Sequence, residues 1–289
     1  MLLKEIKNIF HKELNDSYSK EEVDSFFYML IEHYLKLERF VLAMQPNLVV
    51  SKEEEQPLFE ALSQLRLYIP IQYITGKSNF MDMDFKVDEN VLIPRPETEE
   101  LVRWMIEELG HIKSPVPGKR LSILDIGTGS GCIAVSLAKN LPNNEVHGLD
   151  VSIGALNIAR INAKANKVDV TFVEIDILDI EDSAVKYDIM VSNPPYVREQ
   201  EKKAMHKNVT DHEPELALFV SDGNPLKFYA AIARFASKNL RENGSLYLEI
   251  NQYLAKETEQ LLRNHNFSEI ELRKDMFGND RMMRCKCNP

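Results

Sequence analysis

The chain has 289 residues and a formal net charge of −10, with 44% hydrophobic and 28% charged residues. Such a chain is expected to fold as one large or two ordinary soluble domains, with a core that needs no disulfides. The acidic balance argues against a nucleic-acid backbone as the main partner, because phosphate binding favours clusters of Lys and Arg.

The amino-terminal segment and the cysteines indicate a reduced environment. The segment MLLKEIKNIFHKEL is too charged for a signal peptide, and no apolar run approaches the roughly 18 residues of a membrane span. Cys132, Cys285 and Cys287 lack the spacing of a disulfide framework or of a metal site. We therefore expect a cytoplasmic protein with neither a membrane segment nor a metal ion.

Residues 1–75 are predicted to form a small helical bundle. Apolar residues recur at helical spacing, as in Leu3, Ile6 and Phe10, and Ser19 with Glu22 has the pattern of a capping box. The segment contains 8 Lys or Arg and 12 Asp or Glu, so it is not a basic arm for RNA or DNA. We interpret it as a lid or as a domain that recognises a partner.

A change of pattern follows at residues 76–95. Gly76 begins the segment, and apolar and polar residues then alternate through NFMDMDFKVDENVLIPR, with Asp88-Glu89-Asn90 near the middle. This alternation around turn-forming residues predicts a β-hairpin that links the helical bundle to the rest of the chain.

Residues 96–289 show the alternation of strands and helices that is typical of an α/β domain. Helices are predicted at about 97–109, 131–140, 152–166, 225–241 and 252–265. Strands are predicted at 121–126, 145–150, 170–175, 187–192, 245–250, 268–273 and 281–286. Continuous apolar strands of this kind form a parallel sheet with both faces covered. The short connection before the last strand requires that strand to be antiparallel. The predicted fold is a seven-stranded, mostly parallel, Rossmann-like sheet.

A glycine-rich loop follows the first strand of this domain. It consists of Asp125, Gly127, Thr128, Gly129, Ser130 and Gly131. Glycines after a strand let the backbone approach a ligand closely, and the following helix N-terminus offers free N–H groups. A dinucleotide fingerprint would require glycine at position 132, where this chain has Cys132. The spacing resembles the S-adenosylmethionine loop of class I methyltransferases.

Acidic residues also follow the next two strands. Asp150 ends the second strand, where a carboxylate can accept hydrogen bonds from both ribose hydroxyls of a cofactor. Asp176 and Ile177 follow the third strand, and the resemblance to class I methyltransferases implies that this position contacts the adenine. The alternative is that Asp125, Asp150 and Asp176 only cap helices or turns.

The fourth strand ends in the tetrapeptide Asn193-Pro194-Pro195-Tyr196. Because ligands bind beyond the carboxyl ends of parallel strands, it should lie beside the glycine loop. The Asn193 side-chain oxygen and the Pro194 carbonyl can accept two N–H groups of one planar nitrogen. The two prolines stiffen the backbone, and Tyr196 offers a flat face for stacking. Catalysis would then be mainly alignment, without a general base. Proline can also simply end a strand.

Longer segments resemble a particular family. PIQYITGKSNF, LIPRPETEELV, ILDIGTGSGCIAVSLA, SNPPYV, HEPELALFVSDGNPLKFY and GNDRMMR occur in this order over residues 60–286. In these segments the chain resembles the release factor glutamine methyltransferases of the HemK/PrmC type. The resemblance implies methyl transfer from S-adenosylmethionine to the glutamine side-chain nitrogen, N5, in the Gly-Gly-Gln motif of bacterial peptide chain release factors. Members often have an aromatic residue where this chain has Ile177.

The resemblance also implies a role for each matching position. The cofactor would be held by Gly127–Gly131, Asp150 and Ile177, and the substrate by Asn193–Tyr196. Arg95 and Glu97 would either shape the pocket or form surface ion pairs, and residues 198–224 would cover the substrate. A monomer is expected. Rival hypotheses are a glutamine methyltransferase acting on a ribosomal protein and an amino-methyltransferase acting on an rRNA or DNA base.

Overall fold

The computed structural model describes residues 1–110 and 120–288, which divide into two compact units. The first unit is Met1–Gly76 together with His206–His212, and the second is Lys77–Met205 together with Glu213–Pro289. No helix in the described part of the chain is both long enough and apolar enough to cross a bilayer.

The first unit is helical, as predicted. Its helices are α1 (Leu3–Leu14), α2 (Lys20–Leu35), α3 (Val41–Met44), α4 (Lys52–Leu65) and α5 (Ile71–Thr75). The capping box at the start of α2 is confirmed, because Glu22 N donates to Ser19 Oγ and Ser19 N donates to Glu22 Oε2. Leu3, Ile6 and Phe10 are fully buried, so the helical spacing identified the inner face of α1 correctly.

The hairpin forms, but its turn is not at Asp88-Glu89-Asn90. Strands β1 (Lys77–Phe80) and β2 (Met83–Lys86) pair antiparallel around Met81 and Asp82. Both turn residues have positive φ, 52° and 59°, which is the backbone of a tight two-residue hairpin turn. Register explains the choice of turn: it places the rings of Phe80 and Phe85 in the core of the second unit, with centroids 6.0 Å apart.

The central sheet of the second unit has seven strands. Its elements, in chain order, are α6 (Pro96–Gly110), β3 (Ser122–Ile126), α7 (Cys132–Asn140), β4 (Glu145–Asp150), α8 (Ile153–Ala165), β5 (Thr171–Glu174) and β6 (Tyr187–Ser192), and then α11 (Lys227–Asn239), β9 (Leu240–Glu249), α12 (Ala255–Asn264), β10 (Phe267–Lys274) and β11 (Asp280–Cys287). The spatial order is β10-β11-β9-β6-β3-β4-β5. Strand β11 is antiparallel to both of its neighbours, and the pairs from β9 to β5 are parallel, so the predicted fold is confirmed.

Residues 197–220 are more structured than a connecting loop. They contain β7 (Val197–Arg198), a 3₁₀ helix (Glu199–Ala204), α9 (Lys207–Thr210), α10 (Glu215–Leu218) and β8 (Phe219–Val220). Strands β7 and β8 pair in parallel as a separate two-stranded sheet. Within the first unit, His212 Nε2 lies 2.8 Å from the carbonyl oxygen of Leu67.

Register aligns the carboxyl ends of four strands at one edge of the sheet. Ile126 of β3 pairs with Leu149 of β4 and with Ser192 of β6, and Ser192 pairs with Leu248 of β9. The residues that follow these positions therefore converge at this edge, which is where ligands bind in open parallel sheets.

Candidate active site

A cavity of about 310 Å³ lies at this edge, entirely within the second unit. That volume is within the range of small-molecule sites. Its lining includes six predicted cofactor residues and two prolines of the tetrapeptide: Gly127, Gly129, Asp150, Asp176, Ile177, Asn193, Pro194 and Pro195. The structure thus brings residues of the glycine loop, Asp150 at the end of β4 and three residues of the tetrapeptide to one cavity.

The glycine loop needs glycine for two different reasons. Gly127, Gly129 and Gly131 have φ values of 73°, 55° and 80°, a region that side chains disfavour. Gly131 is also crowded, since a Cβ atom there would lie 3.0 Å from Cβ of Ala159. Gly127 and Gly129 instead face open space, which leaves their backbone accessible to a ligand.

Asp125 lies beneath the loop and does not line the cavity. Its Oδ2 accepts hydrogen bonds from Thr128 Oγ1 at 2.7 Å and from Ala134 N at 3.2 Å. Complete burial raises the pKa of Asp125 to about 7 despite these two donors. Thr128 and Ser130 are buried and, like Gly131, are not part of the lining. In the structure these four residues shape the loop.

The Asp150 carboxylate is half-buried at the cavity wall. Its Oδ2 accepts from Gly129 N at 2.8 Å, and its Oδ1 accepts from Ser152 N at 2.9 Å. Burial raises the pKa of Asp150, and the N–H groups of Ser152 and Gly129 act in the opposite direction. Each oxygen keeps a second lone pair that can receive a hydroxyl donor.

The third strand contributes an apolar wall. Ile177, 8% exposed, lines the cavity and belongs to the buried core of the sheet. Asp176 Oδ1 accepts from Leu178 N at 2.8 Å, which fixes the turn that presents Ile177. The arrangement suits S-adenosylmethionine: accessible loop backbone, a carboxylate able to accept from a diol, and an aliphatic surface for a planar base.

The tetrapeptide is divided between the cavity and the core. Asn193, Pro194 and Pro195 line the cavity, whereas Tyr196 does not. The Tyr196 ring packs against the sheet core, and its hydroxyl donates to Glu249 Oε1 at 2.8 Å. The stacking role predicted for Tyr196 stays a prediction, and in this structure its hydroxyl anchors the tetrapeptide.

Sequence reasoning missed the polar residues behind Asn193. Asn193 Nδ2 donates to Thr98 Oγ1 at 3.0 Å, and Thr98 Oγ1 donates to Glu249 Oε2 at 2.6 Å. Arg281 Nη1 lies 3.4 Å from the Tyr196 hydroxyl oxygen. Glu249 could have been predicted from the sequence. It is the last residue of a buried strand, and Asp150 was predicted as a site residue because it has the same position on its own strand.

Arg95 forms an ion pair, in which its Nη2 lies 2.5 Å from Glu213 Oε1. The Glu213 side chain is only 1% exposed, and Glu213 Oε2 also accepts from Ile93 N at 3.1 Å. The pair therefore joins the segment before α6 to the segment before α10. Glu97 lies in the first turn of α6.

Comparison with known proteins agrees with the fold. Residues 109–217 match the family model Methyltransferase small domain, and residues 6–76 match the PrmC N-terminal domain. A Thermus thermophilus 16S rRNA N2 G1207 methyltransferase, solved with AdoMet and guanosine, is similar with TM-score 0.52 and 17% identity over 73% of this chain and 50% of that one. A Pyrococcus furiosus methyltransferase is similar with TM-score 0.51 and 14% identity over 83% and 100%. These two likenesses show the fold.

The fold, the family model and relatives of up to 51% identity together define a class I, S-adenosylmethionine-dependent methyltransferase. A release factor glutamine methyltransferase of Flavobacterium psychrophilum is 51% identical over 98% of this chain and 99% of that protein. Proteins of the same name from Bacteroides thetaiotaomicron and Streptococcus pneumoniae are 40% and 39% identical over 94% and 98% of this chain, and over 95% and 98% of their own lengths. The chain belongs to the family of release factor glutamine methyltransferases.

Proposed function

We propose that this protein transfers a methyl group from S-adenosylmethionine to N5 of the glutamine in the Gly-Gly-Gln motif of bacterial peptide chain release factors. The observation that carries the proposal is the position of Asn193 and Pro194 in the same cavity as Gly127, Gly129 and Asp150. Membership of the family supports the choice of a glutamine amide over the other planar nitrogens that such a tetrapeptide can hold.

The cofactor would be held by the backbone of Gly127 and Gly129, by the Asp150 carboxylate and by the apolar wall at Ile177. When bound, S-adenosylmethionine supplies an electrophilic sulfonium methyl group. An amide nitrogen is a weak nucleophile because its lone pair is delocalised, so the protein must hold it in line. The Asn193 Oδ1 atom and the Pro194 carbonyl oxygen accept its two N–H groups and fix its plane.

No base is assigned to the reaction. Of the described residues that line the cavity, the acidic ones are Asp150, the last residue of β4, and Asp176, just after β5, and both lie on the cofactor side. When the nitrogen lone pair forms the new N–C bond and the S–C bond breaks, the amide nitrogen becomes positively charged and keeps two protons. This cationic nitrogen is acidic enough to lose one of them to water. The site therefore acts through alignment, and no side chain of the tetrapeptide needs to take up a proton.

Each of the three segments of the chain is assigned a role. We assign residues 1–75 to recognition of the release factor, residues 76–95 to the hairpin linker and residues 96–289 to catalysis. The net charge of −10 favours a protein substrate over a nucleic acid. We propose that the enzyme acts as a monomer in the cytoplasm, where release factors function.

The test uses radiolabelled S-adenosylmethionine with purified release factor, ribosomal proteins and rRNA in separate reactions. Label is expected in the release factor alone, and replacement of the Gly-Gly-Gln glutamine by alanine should abolish it. Label in a ribosomal protein would favour the rival glutamine methyltransferase. Label in RNA without label in protein would overturn the glutamine assignment.

A further inference from the structure

A buried polar network lies behind the Asn193 side chain. Thr98, in the first turn of α6, is 2% exposed, and Glu249, at the end of β9, is 1% exposed. The Thr98 hydroxyl lies between the Glu249 carboxylate and the Asn193 amide, 2.6 Å from Oε2 and 3.0 Å from Nδ2. Polar groups this deeply buried are costly unless they are paired, so the network calls for a functional explanation.

Glu249 is surrounded by donors. Its two oxygens receive the hydroxyl protons of Thr98 and Tyr196, and the guanidinium of Arg281 contacts the Tyr196 hydroxyl. Burial and the Glu97 charge raise the pKa of Glu249, and the two hydroxyl donors and the Arg281 charge oppose that rise without cancelling it. In this arrangement both oxygens act as acceptors, so the Thr98 and Tyr196 hydroxyls each give their proton to Glu249.

This fixes the direction of every bond in the network. A threonine hydroxyl has a single proton, and the Glu249 carboxylate takes it. Towards Asn193, the Thr98 oxygen can therefore only accept. The Thr98 oxygen must therefore face Asn193 Nδ2. If it faced Asn193 Oδ1 instead, two acceptor atoms would be in contact with no proton between them. The opposite atom of the amide, Oδ1, is then turned away from Thr98.

We propose that Thr98 and Glu249 are positioning residues that hold the Asn193 amide with its oxygen towards the substrate nitrogen. The inference rests on the proposed function and adds a basis for specificity. An outward-facing oxygen accepts from a nitrogen that bears N–H groups, as the glutamine amide does. An amide turned the other way would place N–H against N–H, which loses the bond and repels the nucleophile.

The main test compares variants at two buried threonines. Thr98→Val keeps the shape and removes the hydroxyl, whereas Thr98→Ser keeps the hydroxyl. Thr258→Val is the matched control, because Thr258 is 0% exposed and its hydroxyl has no hydrogen-bond partner in the described part of the chain. The quantities measured are kcat and KM for the release factor, the Kd of S-adenosylmethionine by calorimetry, and Tm.

We expect Thr98→Val to lower kcat about 30-fold, the scale of one lost orienting hydrogen bond, with the Kd of S-adenosylmethionine within about twofold of wild type. Thr98→Ser should restore kcat to within about threefold of wild type, and Thr258→Val should leave it unchanged. Equal losses of kcat in Thr98→Val and Thr98→Ser, or a wild-type kcat in Thr98→Val, would overturn the proposal.

Glu249→Gln provides a second variant of nearly the same shape. A glutamine amide can donate as well as accept, so the direction of the Thr98 proton is no longer imposed. We expect a loss of kcat of about tenfold, again with little change in cofactor affinity. Retention of full kcat would contradict the role of the carboxylate.

An observation without turnover separates this proposal from the proposed function. In ¹⁵N-labelled protein, the Asn193 side-chain NH₂ protons should exchange slowly with solvent in wild type and rapidly in Thr98→Val. Assignment uses the resonance pair that Asn193→Ala removes. Inactivity of wild type on release factors would refute only the substrate, whereas equal exchange in wild type and Thr98→Val would refute the orienting network.

Discussion

The backbone N–H of Gly129 donates to Asp150 Oδ2 at a distance of 2.8 Å. This bond ties the end of β4 to the glycine loop that follows β3, and both residues line the same cavity. The carboxylate therefore has two tasks: it holds the loop in its ligand-accessible conformation, and it presents its remaining lone pairs to the cavity.

Asp150→Asn is expected to weaken binding of S-adenosylmethionine about 10- to 100-fold, because neutral acceptors form weaker hydrogen bonds than a carboxylate does. Titration calorimetry measures the Kd. Asp169→Asn is the control, since Asp169 is an exposed carboxylate just before β5. Equal affinities for the two variants would show that Asp150 does not contact the cofactor.

Gly131→Ala should destabilise the second unit by about 1–3 kcal/mol, because a methyl group there combines a positive φ with a contact of 3.0 Å to Ala159 Cβ. Chemical denaturation measures the free energy of unfolding. Gly223→Ala is matched to it, since Gly223 has neither a positive φ nor an atom within 4 Å of the new Cβ. A similar small effect of both substitutions would contradict the crowding argument.

Asn193→Ala should leave the Kd of S-adenosylmethionine within about threefold of wild type and lower kcat about 100-fold or more. The reason is that Asn193 supplies an acceptor for the substrate nitrogen, while the backbone of Gly127 and Gly129 remains available to the cofactor. Steady-state kinetics with purified release factor gives kcat. Unchanged turnover would refute the role of this side chain.

Asp125→Asn should change how stability depends on pH. Burial raises the pKa of Asp125 in the folded protein to about 7, above its ordinary value of 3.8. The folded state therefore binds more protons than the unfolded state between these values, and the contribution of Asp125 to stability falls as the pH rises from about 4 to 7. The free energy of unfolding of Asp125→Asn, relative to wild type, should increase from pH 5 to pH 8. A constant difference would show that Asp125 does not titrate in this window.

Arg95→Met should lower the free energy of unfolding by about 2 kcal/mol, because it leaves the buried Glu213 carboxylate without its cation. Arg103→Met is the control, since Arg103 pairs with Glu99 at an exposed i,i+4 position, where such pairs contribute about 0.5 kcal/mol or less. Thermal or chemical unfolding measures both. Equal effects would mean that the Arg95–Glu213 pair is no more than a surface contact.

The sequence was sufficient to predict the features that depend on neighbouring residues in the chain, such as strand bounds and the motifs that follow strands. Strands β4 and β6 begin and end at the predicted residues 145–150 and 187–192, and their consecutive central residues are buried, as expected of strands covered on both faces. The glycine spacing and the tetrapeptide each follow a strand directly. Their meeting at one edge follows from the rule that parallel strands end together.

The position of the hairpin turn needed the fold. Met81 and Asp82 are not typical turn residues, whereas Asp88-Glu89-Asn90 are. The register that buries Phe80 and Phe85 in one core outweighed the local preference. That burial could not be predicted from the local sequence, because the helices that cover these rings come from other parts of the chain.

The sequence by itself determined the fold and the family, and it placed the glycine loop, Asp150 and the tetrapeptide at the same edge of the sheet. Tertiary structure alone decided how those residues are held. Thr98 lies 95 positions from Asn193 and 151 from Glu249, and Arg95 lies 118 from Glu213, so no periodicity links them. Donor and acceptor directions depend on distances of about 3 Å. Such distances exist only after β6, β9 and α6 have packed together, which is why the orientation of the Asn193 amide could not be predicted from the motif.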